Sequence, residues 1–218
     1  MSNTEIFDGN PVVVFDRESD RRNFLRWAGL VGVGTGFVLG GAVVTQPSHA
    51  SSLTMQAAAG SSDVDILNYA LTLEYLESDF YTQGLQAGIL SGRELDLVKP
   101  IESHEQAHVK AVMDAVSKLG GKPVAKPKLM FPDGTFKSKD KFLSTASTFE
   151  ELGVTAYQGQ VTHIKSGDIL AAAASIAGVE SRHAAILAQL TGGKPFPAPF
   201  EANKTMAQVL PKVKPYLS

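Results

Sequence analysis

The sequence predicts an all-α fold: a four-helix bundle built from a helical hairpin and its duplicate, followed by a short C-terminal helix. Three observations carry that prediction. First, Glu105-Gln106-Ala107-His108 and Glu180-Ser181-Arg182-His183 both read Glu-x-x-His. Second, Glu74 stands thirty-one residues before Glu105 and Glu150 stands thirty before Glu180, and each has a tyrosine seven positions on, Tyr81 and Tyr157. Third, each Glu-x-x-His is followed by a hydrophobic run and then by Gly-Gly-Lys-Pro, at Gly120–Pro123 and Gly192–Pro195. No stretch alternates polar and apolar residues as a half-buried strand would.

The elements follow in order. Residues 1–26 are polar and end in Arg21-Arg22-Asn23-Phe24-Leu25-Arg26, an 18-residue apolar run follows at Trp27–Val44, and small residues close the segment at Ser48-His49-Ala50. That layout is a signal peptide, and paired arginines before Phe-Leu resemble the twin-arginine export signal. Residues 1–50 are therefore expected to be a leader read by the twin-arginine translocation machinery, with the periplasm or extracellular space as destination. A retained anchor is the alternative, since 18 residues is near the lower limit for a span, but six glycines in the run weaken both helix and lipid affinity.

Residues 51–62 are small and polar and read as a flexible mature N-terminus. A first helix is expected over Asp63–Gln86, with Ile66, Leu67, Ala70, Leu73, Leu76 and Phe80 at three- and four-residue steps. Ser91-Gly92-Arg93-Glu94 has the form of a capping box opening a second helix that runs to about Leu119, kinked or divided at Pro100. Gly120-Gly121 supplies a left-handed stop. Lys122–Lys137, rich in Pro and Lys, is the long connection between hairpins. The third helix is expected from Ser138 to about His163, and the fourth over Ile169–Leu190 with Asp168 as N-cap. The bundle thus occupies residues 63–190, and the tail, 191–218, has five prolines and room for one short helix near Thr205–Leu210.

Composition narrows the function. The chain has 218 residues, 44% of them hydrophobic, and a formal charge of −2. Without residues 1–50 there remain 16 Lys and Arg against 17 Asp and Glu. No basic surface of the kind that tracks phosphates results, so nucleic acid is not an expected partner. The absence of cysteine excludes disulfides, thiolate nucleophiles and Cys-ligated zinc. Nothing in the sequence sets an oligomeric state; a dimer is one option.

On an α-helix a three-residue step turns about 300°, so a Glu and the His three positions later leave nearly the same face and can reach one metal ion. Four ionised carboxylates in a bundle core would need counterions. Two divalent cations supply four positive charges against Glu74, Glu105, Glu150 and Glu180, with His108 and His183 as neutral ligands. Oxygen and imidazole donors without thiolate suit iron or manganese, and zinc also binds such a set. Glu151 competes with Glu150 for the third position, although only Glu150 keeps the seven-residue relation to a tyrosine. Glu77 and Glu102 lie one turn from Glu74 and Glu105, as partners of the ligands or as surface residues. Tyr81 and Tyr157 are candidate catalytic residues as hydrogen-bond donors beside the ligands, or core aromatics.

His104-Glu105-Gln106-Ala107-His108 also matches His-Glu-x-x-His, in which His104 and His108 would bind zinc and Glu105 act as general base of a protease. That pattern lacks its usual third ligand downstream and leaves Glu180 and His183 unused. In the two-metal reading His104 is a bystander.

The order Glu helix, Glu-x-x-His helix, Glu helix, Glu-x-x-His helix resembles the ferritin-like superfamily. The phrases LEYLESDFY, HEQAHV, EELGVTAYQG and VESRHAAIL are similar to those of its exported, desiccation-related members. Over Asp63–Leu190 the resemblance implies a dimetal centre of two divalent ions, iron first and manganese second, held by Glu74, Glu105, His108, Glu150, Glu180 and His183. It implies O2 or H2O2 as small-molecule substrate and a role in oxidative or desiccation stress. A bundle kept as a non-catalytic envelope or stress-binding scaffold is the competing expectation.

Overall fold

The computed structural model describes residues 62–217. Five α-helices fill them: α1 Asp63–Gln86, α2 Gly92–Lys118, α3 Lys139–Gln160, α4 Gly167–Leu190 and α5 Met206–Val213, with 3₁₀ turns at Thr135–Lys137 and Lys214–Tyr216. Among the described residues no strand forms, and β-type pairing is confined to a bridge between Leu129 and Leu217. The expected leader, 1–50, and residues 51–61 lie outside the described residues. No helix of those described is long and apolar enough to cross a membrane.

Two hairpins make the bundle. α1 packs along α2 and α3 along α4, while α1 also meets α3 and α2 meets α4. Each helix turns an apolar stripe inward, with Leu73, Leu76 and Phe80 on α1 and Val98, Ile101 and Val112 on α2 all nearly free of solvent. Burying each such side chain contributes about 1.5–3 kcal/mol, which outweighs local propensity. One end is closed by aromatics. Phe80 stacks on Phe142 at 4.8 Å and meets Phe149 edge-on at 5.0 Å. The long connection and the tail close over the same end: Phe131 packs on Phe80, Tyr216 meets Phe149 edge-on at 4.9 Å, and Met130 N donates to the Tyr216 carbonyl at 3.0 Å. The start of the connection is pinned by Asn68, whose side chain bonds the Lys122 carbonyl and the Val124 N–H.

Both Glu-x-x-His helices stop by the same device. Gly120 and Gly192 take φ of 74° and 77°, and the following glycines, Gly121 and Gly193, donate back to Val116 and Ala188 at 3.0 and 2.7 Å. A left-handed residue at this point satisfies carbonyls the helix leaves open, and glycine adopts it without steric cost. The repeated Gly-Gly-Lys-Pro is therefore a repeated helix terminator.

Several local expectations are corrected. Ser91 is the N-cap of α2 but its side chain makes no cap hydrogen bond, and the Glu94 carboxylate, rather than reaching back to the Ser91 N–H, pairs with Lys139 Nζ at 2.8 Å and links the two hairpins. Pro100 does not divide α2, which is continuous from Gly92 to Lys118 with Val98 and Ile101 buried on either side of it. The N-cap of α4 is Ser166 rather than Asp168: Ile169 N donates to Ser166 Oγ, and Asp168 falls in the first turn where its charge suits the helix dipole. The Asp63 carboxylate accepts from Lys165 N and Ser166 N, tying the start of α1 to this turn. α3 ends at Gln160, short of His163. α5 extends past Leu210 through Pro211 to Val213, because Met206, Val209 and Val213 bury against the bundle.

Candidate metal centre

Every helix of the bundle sends one acidic side chain to the same interior point. Glu74 comes from α1, Glu105 from α2, Glu150 from α3 and Glu180 from α4, and all four are fully buried. His108 and His183, one turn after Glu105 and Glu180, join them with 7% and 5% of their surface exposed. The donors fall into two groups in which the ligand atoms all lie within 4.8 Å of one another: Glu74, Glu105, His108 and Glu180, and Glu105, Glu150, Glu180 and His183. Glu105 and Glu180 belong to both. His108 Nδ1 lies 3.5, 3.2 and 3.1 Å from carboxylate oxygens of Glu74, Glu105 and Glu180. His183 Nδ1 lies 3.0 and 3.2 Å from Glu105 and Glu150.

The electrostatics show what the cluster lacks. Glu74 Oε2, Glu105 Oε1 and both oxygens of Glu180 are buried without a hydrogen-bond donor, though imidazole nitrogens lie within ion-pair distance of three of them. Orphaned buried acceptors are rare in folded proteins and call for an unseen cation or proton. Protons fill part of that need. Burial drives Glu180 well above the usual carboxylate range, with the charge of Glu150 adding to it, and burial brings Glu74 to about 7. Burial also lifts Glu150. Glu105 is the exception: burial pushes it up, but the close His108 and His183 imidazoles outweigh that and hold it at about 2. Burial would lower the imidazoles, yet the facing carboxylates raise His108 to about 12 and His183 to about 9. Replacing those protons by two divalent cations would neutralise four carboxylates and give each orphaned oxygen a partner, so the residues present fit the group.

The tyrosines bond across the repeat. Tyr81 Oη donates to Glu150 Oε1 at 2.6 Å, and Tyr157 Oη donates to Glu74 Oε1. Seven residues of helix rise about 10 Å, too far for a tyrosine to reach the glutamate of its own helix. α1 and α3 run antiparallel, so each tyrosine comes level with the other half's glutamate. Burial holds both phenols well above their ordinary range, and they remain neutral donors.

Of the alternatives, Glu150 is buried and Glu151 exposed. Glu102 is half-buried and bonds Thr82 and Gln106 rather than the cluster. Glu77, read from the sequence as a partner of the ligands or a surface residue, is 3% exposed and forms a fifth buried carboxylate, driven well above its usual range by burial and by Glu180. Room for it comes from Gly153, three positions after Glu150 as Glu77 is three after Glu74. A Cβ on Gly153 would stand 2.6 Å from Glu180 Oε2 and 3.1 Å from Glu77 Oε1. The repeat thus carries Glu in one half and Gly in the other, and that difference was the signal available in the sequence. His104 enters neither ligand group; its ring lies against His183. The two histidines of His-Glu-x-x-His therefore do not share a metal position.

The model of the ferritin-like domain matches residues 62–193. The chain belongs to the ferritin-like domain family. Among solved structures, the chain is similar to a conserved hypothetical protein from Mycobacterium tuberculosis, at 21% identity and a TM-score of 0.54, covering 66% of this chain and 99% of that one. At that identity the likeness speaks for the ferritin-like fold. No curated protein matches the chain. The buried acidic and histidine groups of this ferritin-like domain could hold metal ions.

Proposed function

We propose that this ferritin-like protein is an exported oxidoreductase that holds two divalent ions, iron or manganese, and reacts with O2 or H2O2 under oxidative or desiccation stress. The observation that carries the reading is the sharing of Glu105 and Glu180 between two buried ligand groups in which Glu74 Oε2, Glu105 Oε1 and both oxygens of Glu180 lack donors. A scaffold has no use for four buried carboxylates that cost stability when unpaired.

When bound, such a metal pair supplies two one-electron steps that act together on one oxidant. The chain's own residues do the rest. Glu74, Glu105, His108, Glu150, Glu180 and His183 would hold the pair. Tyr81 and Tyr157 hold Glu150 and Glu74 in place and keep one oxygen of each occupied by a phenol proton. The apolar walls, among them Leu73, Leu76 and Ile101, exclude water from the centre.

Protein loaded with Fe²⁺ is expected to consume O2 or H2O2 faster than the same concentration of free Fe²⁺, and a manganese form to decompose peroxide. Tyr81→Phe and Tyr157→Phe should change that rate while metal content stays as in the wild type. Stoichiometric metal with no reaction towards either oxidant, for both metals, would favour the scaffold instead.

Export is part of the same proposal and rests on Arg21 and Arg22 ahead of the apolar run. Changing both to Lys keeps the charge but removes the planar guanidinium pair, so full-length protein should accumulate in the cytoplasm. Cell fractionation reads the outcome, and undiminished export of the double variant would point to the general secretory route.

A further inference from the structure

His104 is exposed, yet its ring lies edge to edge with that of His183, with centroids 5.1 Å apart and planes 14° from parallel. His104 Nδ1 lies 2.9 Å from His183 Nε2. The other nitrogen of His183, Nδ1, faces Glu105 and Glu150 inside the cluster. A neutral imidazole carries one proton, so a metal ion on Nδ1 of His183 puts that proton on Nε2. The Nε2–H then points at His104 Nδ1, which accepts it, and the proton of His104 is left on its own Nε2. One contact therefore sets the tautomer of both rings. At the matching position of the other half, the residue before Glu180 is Val179, whose side chain has no polar atom to offer His108.

We propose that His104 is a positioning residue for His183, holding its Nδ1 towards the metal position shared with Glu105, Glu150 and Glu180, and that it makes this position bind metal more tightly than the His108 position. A hydrogen-bond acceptor on the far nitrogen of a ligating histidine fixes ring orientation and raises basicity, and its loss costs about 10- to 100-fold in metal affinity. The inference rests on the two-metal reading of the preceding subsection. It converts a residue that the duplicated motif leaves over into the element that distinguishes the two halves.

The test uses the full mature chain, freed of metal and titrated with Co²⁺ by calorimetry. Wild-type protein should bind two ions in two resolved steps. His104→Phe keeps an aromatic ring beside the edge of His183 but offers no acceptor, and should weaken the tighter step by about 10- to 100-fold while leaving the other in place. His104→Gln offers a carbonyl oxygen and should recover most of the loss. Proton spectra of the Co²⁺ form give an independent readout. The exchangeable Nε2–H of His183, displaced by the paramagnetic ion, should persist in wild type and His104→Gln and be lost to solvent exchange in His104→Phe. Equal affinities and equal exchange in all three proteins would overturn the proposal, as would an equal weakening of both steps. A wild-type chain that binds fewer than two Co²⁺ would remove the two-metal reading itself, and this inference with it.

Discussion

Glu105→Ala and Glu180→Ala are each expected to lower metal binding from about two ions per chain to below one, because each carboxylate belongs to both ligand groups. Glu74→Ala and Glu150→Ala remove a member of one group only and should retain about one ion. The four residues are alike in type, burial and depth, so only their sharing between groups separates the outcomes. Elemental analysis after loading and desalting measures the result, with thermal unfolding to show that each variant folds. Equal losses in all four variants would mean that the two groups do not exist as separate metal positions.

The second large effect is a reversal of pH dependence on loading. Without metal, the folded chain keeps protons that the unfolded chain releases. Glu180 and Glu77 titrate well above the carboxylate value of 4.5, Glu74 at about 7, and Glu150 is also raised. A group raised in this way stabilises the fold below its unfolded pKa and loses that contribution as pH rises through the folded one. Each such proton is worth about 1.4 kcal/mol per pH unit. His108 and His183, raised to about 12 and about 9, extend the decline above their unfolded value of 6.5. Metal-free protein should therefore become less stable from about pH 5 to pH 7 and beyond. Glu105, held at about 2, is ionised throughout this window and does not oppose the trend. In the loaded form the imidazoles are neutral ligands, while the unfolded chain protonates them below 6.5. Its stability should rise from pH 5 to about 6.5 and then level off, and loading should release protons. Melting temperatures at pH 5, 6 and 7, with chelator and with saturating metal, test the crossing. Parallel profiles would contradict it.

Much of this was legible in the sequence because a duplicated pattern is hard to produce by chance. Asp63 and Gln86 were read as the limits of the first helix and are its limits. Ser138 was read as the start of the third, and caps it. The six candidate ligands were named from spacing alone, since a three-residue step on a helix is a statement about direction. What spacing cannot express is which helix faces which. The crossed bonds of Tyr81 and Tyr157 depend on α1 and α3 lying antiparallel, a property of neither segment by itself. Glu77 reads as a polar residue on an amphipathic helix, and its burial follows from the missing side chain of Gly153 on another helix. His104 is exposed and stands one position from a candidate ligand, so nothing local distinguishes it from a solvated residue; its contact comes from α4, seventy-nine residues away. Neither the Ser91 nor the Asp168 side chain caps its helix. Each had the right residue type, but the Glu94 carboxylate pairs with Lys139, and the fourth helix begins two positions earlier, with Ser166 at its cap.

The central claim is that one buried site holds two metal ions between four helices, with Glu105 and Glu180 in common. Anomalous diffraction at a metal absorption edge, from crystals of protein purified from its own compartment, tests it most directly. Two peaks per chain are expected, one beside Nδ1 of His108 and one beside Nδ1 of His183, each bordered by both Glu105 and Glu180. A single peak between His104 and His108, or no peak within the bundle, would contradict the account.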